Sequence, residues 1–171
     1  MMSMHKWLMT CVGMVLLTSS QLAAAVDVAL TTPVSGVVKS VLVRQGQSVK
    51  KGQKLVVLDD AIFQARVMEA EGSVERLQAD AQEAGRDLKR AKELYSRAVS
   101  STTELEQAQV RYSHANGLYK EAQARLLIAR KNLEYSTLRA PFDGTVSKRL
   151  AEPGMVVSAE LQPVTLIILN K

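Results

Sequence analysis

One cysteine, Cys11, stands among 171 residues. A single thiol builds neither a disulfide framework nor a cysteine-rich zinc site. Histidine is nearly as scarce, with only His5 and His114, so a soft-metal or His-rich ligand set is not expected. Aromatic residues make up 4% of the chain, too few for the stacking platforms that hold single-stranded nucleic acid. Basic residues outnumber acidic ones, 22 to 17, but the two are interspersed. That leaves a mildly basic, mixed-charge surface rather than a nucleic-acid patch. No phosphate-cradling glycine loop and no acid–base constellation is legible. These gaps point away from an enzyme, a metal or cofactor site and a nucleic-acid partner. Proline is absent from the whole of 61–135.

The first 25 residues read as a secretory leader. Lys6 precedes an apolar run from Trp7 to Leu17, followed by Ala23-Ala24-Ala25. A basic start, a short apolar stretch and a small-residue cleavage site are the marks of such a signal. The run is short against the roughly 20 residues of a membrane span. Cleavage after Ala25 removes Cys11, the only Trp (Trp7), His5 and five of the seven Met. The leader predicts export of the mature protein, with inner-membrane association as an option.

Residues 26–60 and 136–171 are rich in Val, Leu and Thr and punctuated by glycine, the pattern of short strands and turns. They also match each other. Pro33-Val34-Ser35-Gly36 aligns with Pro141-Phe142-Asp143-Gly144, Val38 with Val146, Gly46 with Gly154 and Val49 with Val157. Each glycine is expected at a tight turn or at φ > 0. Each copy is too small to bury a core alone. Two copies facing each other predict one β-sandwich with two-fold-like symmetry, split by an insertion.

The insertion, 61–135, has helical periodicity. Val67, Ala70, Val74, Leu77, Ala81, Ala84, Leu88, Ala91, Tyr95 and Ala98 fill a and d positions of one heptad frame. Leu105, Ala108, Tyr112, Ala115, Tyr119, Ala122, Leu126, Ala129, Leu133 and Ser136 fill those of a second. Such seams predict two helices of a coiled coil. Folding the chain back around residues 101–102 sets Tyr95 against Ala108, Ala91 against Tyr112 and Ala84 against Tyr119. Large then meets small across most layers, as an interdigitating core requires. Asp59-Asp60 is the expected cap of the first helix. Ser101-Thr102-Thr103-Glu104 fits a capping box for the second, with Thr103 to Glu106 as an alternative frame. Each arm of roughly 35 residues spans on the order of 50 Å at 1.5 Å per residue. The fold class is therefore α+β: a small β-sandwich split by a long antiparallel helical hairpin, its tip near 98–104.

Three blocks resemble the periplasmic adaptor subunits (membrane fusion proteins, haemolysin-D-like) of resistance–nodulation–division type tripartite efflux pumps. "VSGVVKSVLVRQGQSVKKGQKLVVLD" and "LEYSTLRAPFDGTVSKRLAEPGMVV" are similar to the two halves of that family's lipoyl-like, barrel-sandwich hybrid domain. At the tip, Arg90, Leu94 and Ser101 reproduce the family's Arg, Leu, Ser spacing. The resemblance implies a place in the periplasm of a Gram-negative bacterium, that these three dock on an outer-membrane channel, that an inner-membrane transporter is the other partner, and that subunits associate side by side. It also implies β-barrel and membrane-proximal domains, which are expected to be missing here. The chain is then a minimal adaptor, a truncated product or half of a split one. A type I secretion adaptor is the competing reading. A lipoyl or biotinyl carrier is disfavoured, because the junction that would hold the modified lysine reads Asp59-Asp60-Ala61.

Overall fold

A computed structural model describes residues 26–159 and 164–171; the expected leader, 1–25, lies outside them. The chain runs β1 (Asp27–Leu30), β2 (Gly36–Val41), β3 (Ser48–Val49), β4 (Lys54–Leu58), α1 (Ala61–Ser96), α2 (Thr102–Tyr135), β5 (Thr137–Arg139), β6 (Gly144–Arg149), β7 (Val156–Val157) and β8 (Ile167–Asn170). Two four-stranded antiparallel sheets result, β1-β8-β6-β3 and β5-β4-β2-β7. Among the described residues no helix is long and apolar enough to cross a membrane.

The sequence repeat becomes a pseudo-two-fold axis between the sheets. Each sheet takes two strands from each half, so neither half can form a sheet alone. Equivalent backbone bonds tie them together. Gly46 N–H donates to Val146 O and Gly154 N–H to Val38 O, both at 2.8 Å. Val38 N–H donates to Met155 O at 2.8 Å and Val146 N–H to Gln47 O at 2.9 Å. Even the irregularities recur, with register shifts between Val38 and Ser40 and between Val146 and Lys148. The pattern slips after β7, since β8 starts later than β4's copy would.

The core lies between the sheets. Val38, Leu55, Val56, Leu58, Val146, Val157, Leu166, Ile167 and Leu169 are fully or nearly fully buried. In β8, Ile167 and Leu169 point inward while Ile168 and Asn170 are half-buried, the period of two that a strand with one core face must show.

The glycine expectation holds in part. Gly46 and Gly154 have φ of +79° and +86° in equivalent turns, and Gly52 has +82°. Gly36 and Gly144 do not have positive φ; they serve close packing instead. A Cβ on Gly46 or Gly154 would meet nothing within 4 Å. Replacing either with alanine therefore adds only backbone strain, expected to lower unfolding free energy by about 1–2 kcal/mol. Chemical denaturation of the two variants should show nearly equal losses.

The hairpin is rooted in the sandwich. Phe63, in the first turn of α1, is buried in the sandwich core, and Leu133 of α2 packs on it. Thr32 Oγ1 donates to Tyr135 O at 2.9 Å, Ser136 Oγ to Leu133 O at 2.7 Å, and Leu58 N–H to Ser136 O at 2.8 Å. The α1 cap differs from expectation. Asp60 occupies the cap position without a side-chain cap bond, and its carboxylate instead accepts from Gln64 Nε2. Asp59 takes the role in part, its Oδ1 accepting Ala61 N–H at 3.1 Å. Close by, Lys131 Nζ donates to the Glu134 carboxylate at 2.6 Å; this bond raises the lysine pKa and lowers that of the carboxyl.

Along the rod, the two seams are the least exposed stripes. Ala81, Leu88, Ala108, Ala122 and Ala129 are buried. The register differs from the expected one. The helices end at Ser96 and resume at Thr102, so the fold-back centre is Val99. Tyr112 packs its ring edge 3.4 Å from where a Cβ would stand on Gly85, a neighbour outside the expected pairing. Large still meets small, with a different partner. Arg130 reaches across to Glu71 at 2.8 Å, which marks the relative height of the two arms. Tyr95 and Ala98, expected in the seam, are exposed, because the turn arrives before α2 offers them anything to pack on.

Candidate interaction site at the hairpin tip

The tip is five residues, 97–101, held by caps on both sides. At the end of α1, Val99 N–H donates to Leu94 O at 3.0 Å and Ala98 N–H to Tyr95 O at 2.9 Å. These paired bonds close a helix through a left-handed residue, usually glycine. Here it is Ala98, at φ +54°. The conformation strains an alanine by about 1 kcal/mol. Ala98→Gly is thus expected to raise the hairpin's stability by roughly that amount, read as a higher thermal midpoint.

At the start of α2, Ser101 Oγ accepts Glu104 N–H at 3.2 Å. The Glu104 carboxylate in turn accepts Ser101 N–H at 3.0 Å. The first of the two sequence frames is therefore the one used. The reciprocal pair satisfies two donors that a helix start leaves open. Glu104, in the first turn, also complements the helix dipole.

Arg90 and Leu94 sit one turn apart on the same face of α1. The Arg90 guanidinium is held by the Asp87 carboxylate, an exposed pair worth little stability that sets the side chain's direction. Leu94 is 45% exposed, and Val99 beside it 70%. A shallow groove of about 300 Å³ runs between the arms, lined by Asp87, Arg90, Ala91, Leu94, Ser100, Glu104 and Arg111. Its lining combines the acidic Asp87 and Glu104, the basic Arg90 and Arg111, and the apolar Ala91 and Leu94.

Of the three residues singled out in sequence, the structure brings Arg90 and Leu94 to this groove. Ser101 does not line it, because its hydroxyl is committed to the cap. Ser100 lines it instead. The Ser100 Oγ is shielded from solvent and has no hydrogen-bond partner among the described residues, an uncommon condition for a buried hydroxyl. Sequence reasoning missed Ser100, Glu104 and Arg111 as groove residues. Glu104 was visible only as a cap partner. Arg111 carried no signal, since its place depends on the register between the arms.

Comparison with known proteins returns one family model, described as CzcB-like, barrel-sandwich hybrid domain, matching residues 26–166. Among curated relatives, multidrug resistance protein MdtA of Pantoea ananatis is 31% identical over 136 residues, 80% of this chain and 33% of the relative. MdtA of Erwinia amylovora is 32% identical over 136 residues, 80% of this chain and 34% of the relative. The chain thus spans about a third of the length of the curated relatives it matches. Among solved structures, a MacA–MexA chimeric protein containing the Pseudomonas aeruginosa MexA α-hairpin domain superposes with a TM-score of 0.65. It is 29% identical over 84% of this chain and 46% of that one.

Proposed function

This chain belongs to the CzcB-like barrel-sandwich hybrid domain family, and on that premise we propose that it acts as a periplasmic adaptor in a tripartite efflux assembly. Its role is mechanical and not enzymatic. The sandwich anchors both helix ends, and the rod carries the tip on the order of 50 Å away, from 36 residues of α1 at 1.5 Å each. An outer-membrane channel is the partner at the tip, an inner-membrane transporter the partner at the other end, and a second copy the partner alongside.

One observation carries the reading. The far end of the rod exposes two apolar side chains, Leu94 and Val99, beside a directed arginine. An isolated hairpin has no structural need for that combination. Apolar anchors ringed by polar groups are what an interface uses. The relatives named for multidrug resistance and the hairpin shared with the MexA chimera support the same reading.

The test is direct. With a photo-crosslinking amino acid at Val99, the protein in cells is expected to capture an outer-membrane channel. Capture of no outer-membrane protein, with export to the periplasm shown, rejects the tip partner.

A further inference from the structure

Two turns in the first sequence half are built alike. Arg44-Gln45-Gly46-Gln47 and Lys50-Lys51-Gly52-Gln53 each open on a basic residue and place a glycine third, at φ +79° and +82°. In each, the closing Gln holds the turn twice. Its N–H donates to the carbonyl of the first residue, at 3.1 Å and 3.0 Å. Its side-chain Oε1 accepts the first residue's N–H, at 2.9 Å and 3.1 Å. Backbone and glutamine hold these turns, so the basic side chains are left over.

Both turns lie at the end of the sandwich away from the hairpin. β4 reaches the hairpin root at Leu58, whose N–H donates to Ser136 O. Its other end, at Lys54 and Leu55, stands beside the end of β2, where Leu42 N–H donates to Leu55 O at 2.8 Å. Residues 43–53 join these two remote ends.

The charge at this end is not compensated. Residues 44–54 hold four basic residues and no acidic one. Across the sheet Lys54 stands directly opposite Arg139 of β5, and like charges so placed cost a sheet stability. Arg44, Lys50, Lys51, Lys54 and Arg139 are all exposed. None of them makes an ion pair among the described residues. The Asp143 carboxylate reaches the second turn but accepts Lys51 N–H, at 2.6 Å. The hairpin, 61–135, in contrast balances 12 basic residues against 11 acidic ones. The fold therefore gains nothing from gathering cations here.

Beside the first turn opens a cleft of about 540 Å³, lined by Val41, Val43, Arg44, Gln45 and Arg149. Arg149 is held by Glu152, so Arg44 supplies its free charge. Leu42, next in the chain, is half exposed. Of the five unpaired cations only Arg139 has its direction set, by a bond to Gly52 O at 2.9 Å. A folded acidic partner is recognised by positioned donors. Undirected cations around an apolar side chain suit a diffuse anionic surface instead.

We infer that this end of the sandwich docks on an anionic phospholipid bilayer, with phosphate headgroups over the five cations and Leu42 at the acyl boundary. The inference goes beyond the tip reading and relies on it only for the choice of membrane. With the tip on an outer-membrane channel, this end faces the inner membrane.

Flotation with vesicles tests it, on the chain as the cell exports it. The protein is expected to float with phosphatidylcholine–phosphatidylglycerol vesicles and not with phosphatidylcholine alone. Raising salt from about 0.01 M to about 1 M should release it, because the screening length falls from about 30 Å to about 3 Å. Lys50→Gln with Lys51→Gln is expected to weaken partitioning about 30-fold, at about fivefold per cation. Circular dichroism should not change, since neither side chain holds the turn. Lys89→Gln with Lys120→Gln removes the same charge from exposed sites on the rod and is expected to float like the unmodified protein. An equal loss in both pairs would mean that net charge alone acts, and would overturn the surface. Absence of flotation, or equal flotation with neutral vesicles, overturns it as well, even where an acidic protein is recovered with the chain. Capture through Val99 reports on the tip alone. Capture without flotation rejects only this surface; flotation without capture rejects only the tip partner.

Discussion

Leu94→Ser is expected to reduce channel capture by about 30-fold, the equivalent of a 2 kcal/mol interface anchor. The argument rests on where the side chain stands. Leu94 is half exposed in the free protein, so folding uses only part of its apolar surface. The truncation removes up to about 1 kcal/mol of burial from the hairpin and leaves the rod helical. Docking would bury the other part in a site centred on this residue. Arg90→Asp acts on the same groove differently. It breaks the pair with Asp87 and sets two carboxylates three residues apart, a repulsion of a few tenths of a kcal/mol on an exposed helix. It also reverses the charge the partner would meet. Both variants should keep their circular dichroism spectrum, and capture unchanged in both would sink the tip role. Ser101→Asp separates capping from docking. Aspartate caps as well as serine, and it should keep both stability and capture if Ser101 serves the cap alone.

Gly144→Ala is expected to have the largest effect on stability, a loss of about 3 kcal/mol. A Cβ on Gly144 would overlap the backbone oxygen of Asn170 and stand 3.3 Å from its carbonyl carbon. No rotamer relieves a clash with main chain. Either β8 moves away from β6 or β6 tilts. β8 carries Ile167 and Leu169 into the core and is paired on both sides, to β1 and β6. A shift there spreads through the sheet. For a core of this size the thermal midpoint should fall on the order of 10 °C. The repeat supplies an internal control. At the equivalent Gly36, a Cβ would lie 3.4 Å from Leu58 Cδ1, a flexible side-chain tip that can give. Gly36→Ala should lose less than about 1.5 kcal/mol. Equal losses at the two glycines would show that the close approach of Asn170 is not what Gly144 serves.

Much of this molecule is legible in its sequence, for definite reasons. The strand halves declare themselves through an internal repeat, because the same turn geometry needs the same glycines twice. The helical seams declare themselves through heptads, because a buried stripe on a helix has to recur with the helix period. The capping box reads from four consecutive residues, since both of its bonds are local. The exchange of strands between the sheets follows from copies too short to bury a core separately.

The register between the arms was not local, and only the tertiary structure decided it. Heptad positions specify which face is buried but not how far one helix slides along the other. The slide is set by the turn, where Ala98 adopts a left-handed conformation that an alanine does not advertise. From that slide follow the exposure of Tyr95, the seat of Tyr112 on Gly85, and the entry of Ser100 and Arg111 into the groove. The difference between Gly36 and Gly144 has the same origin. The repeat makes them equivalent in sequence, yet Asn170, beyond the point where the repeat slips, crowds only one of them. Periodicity and local bonding are written along the chain; relative displacement and close approach exist only once distant segments meet.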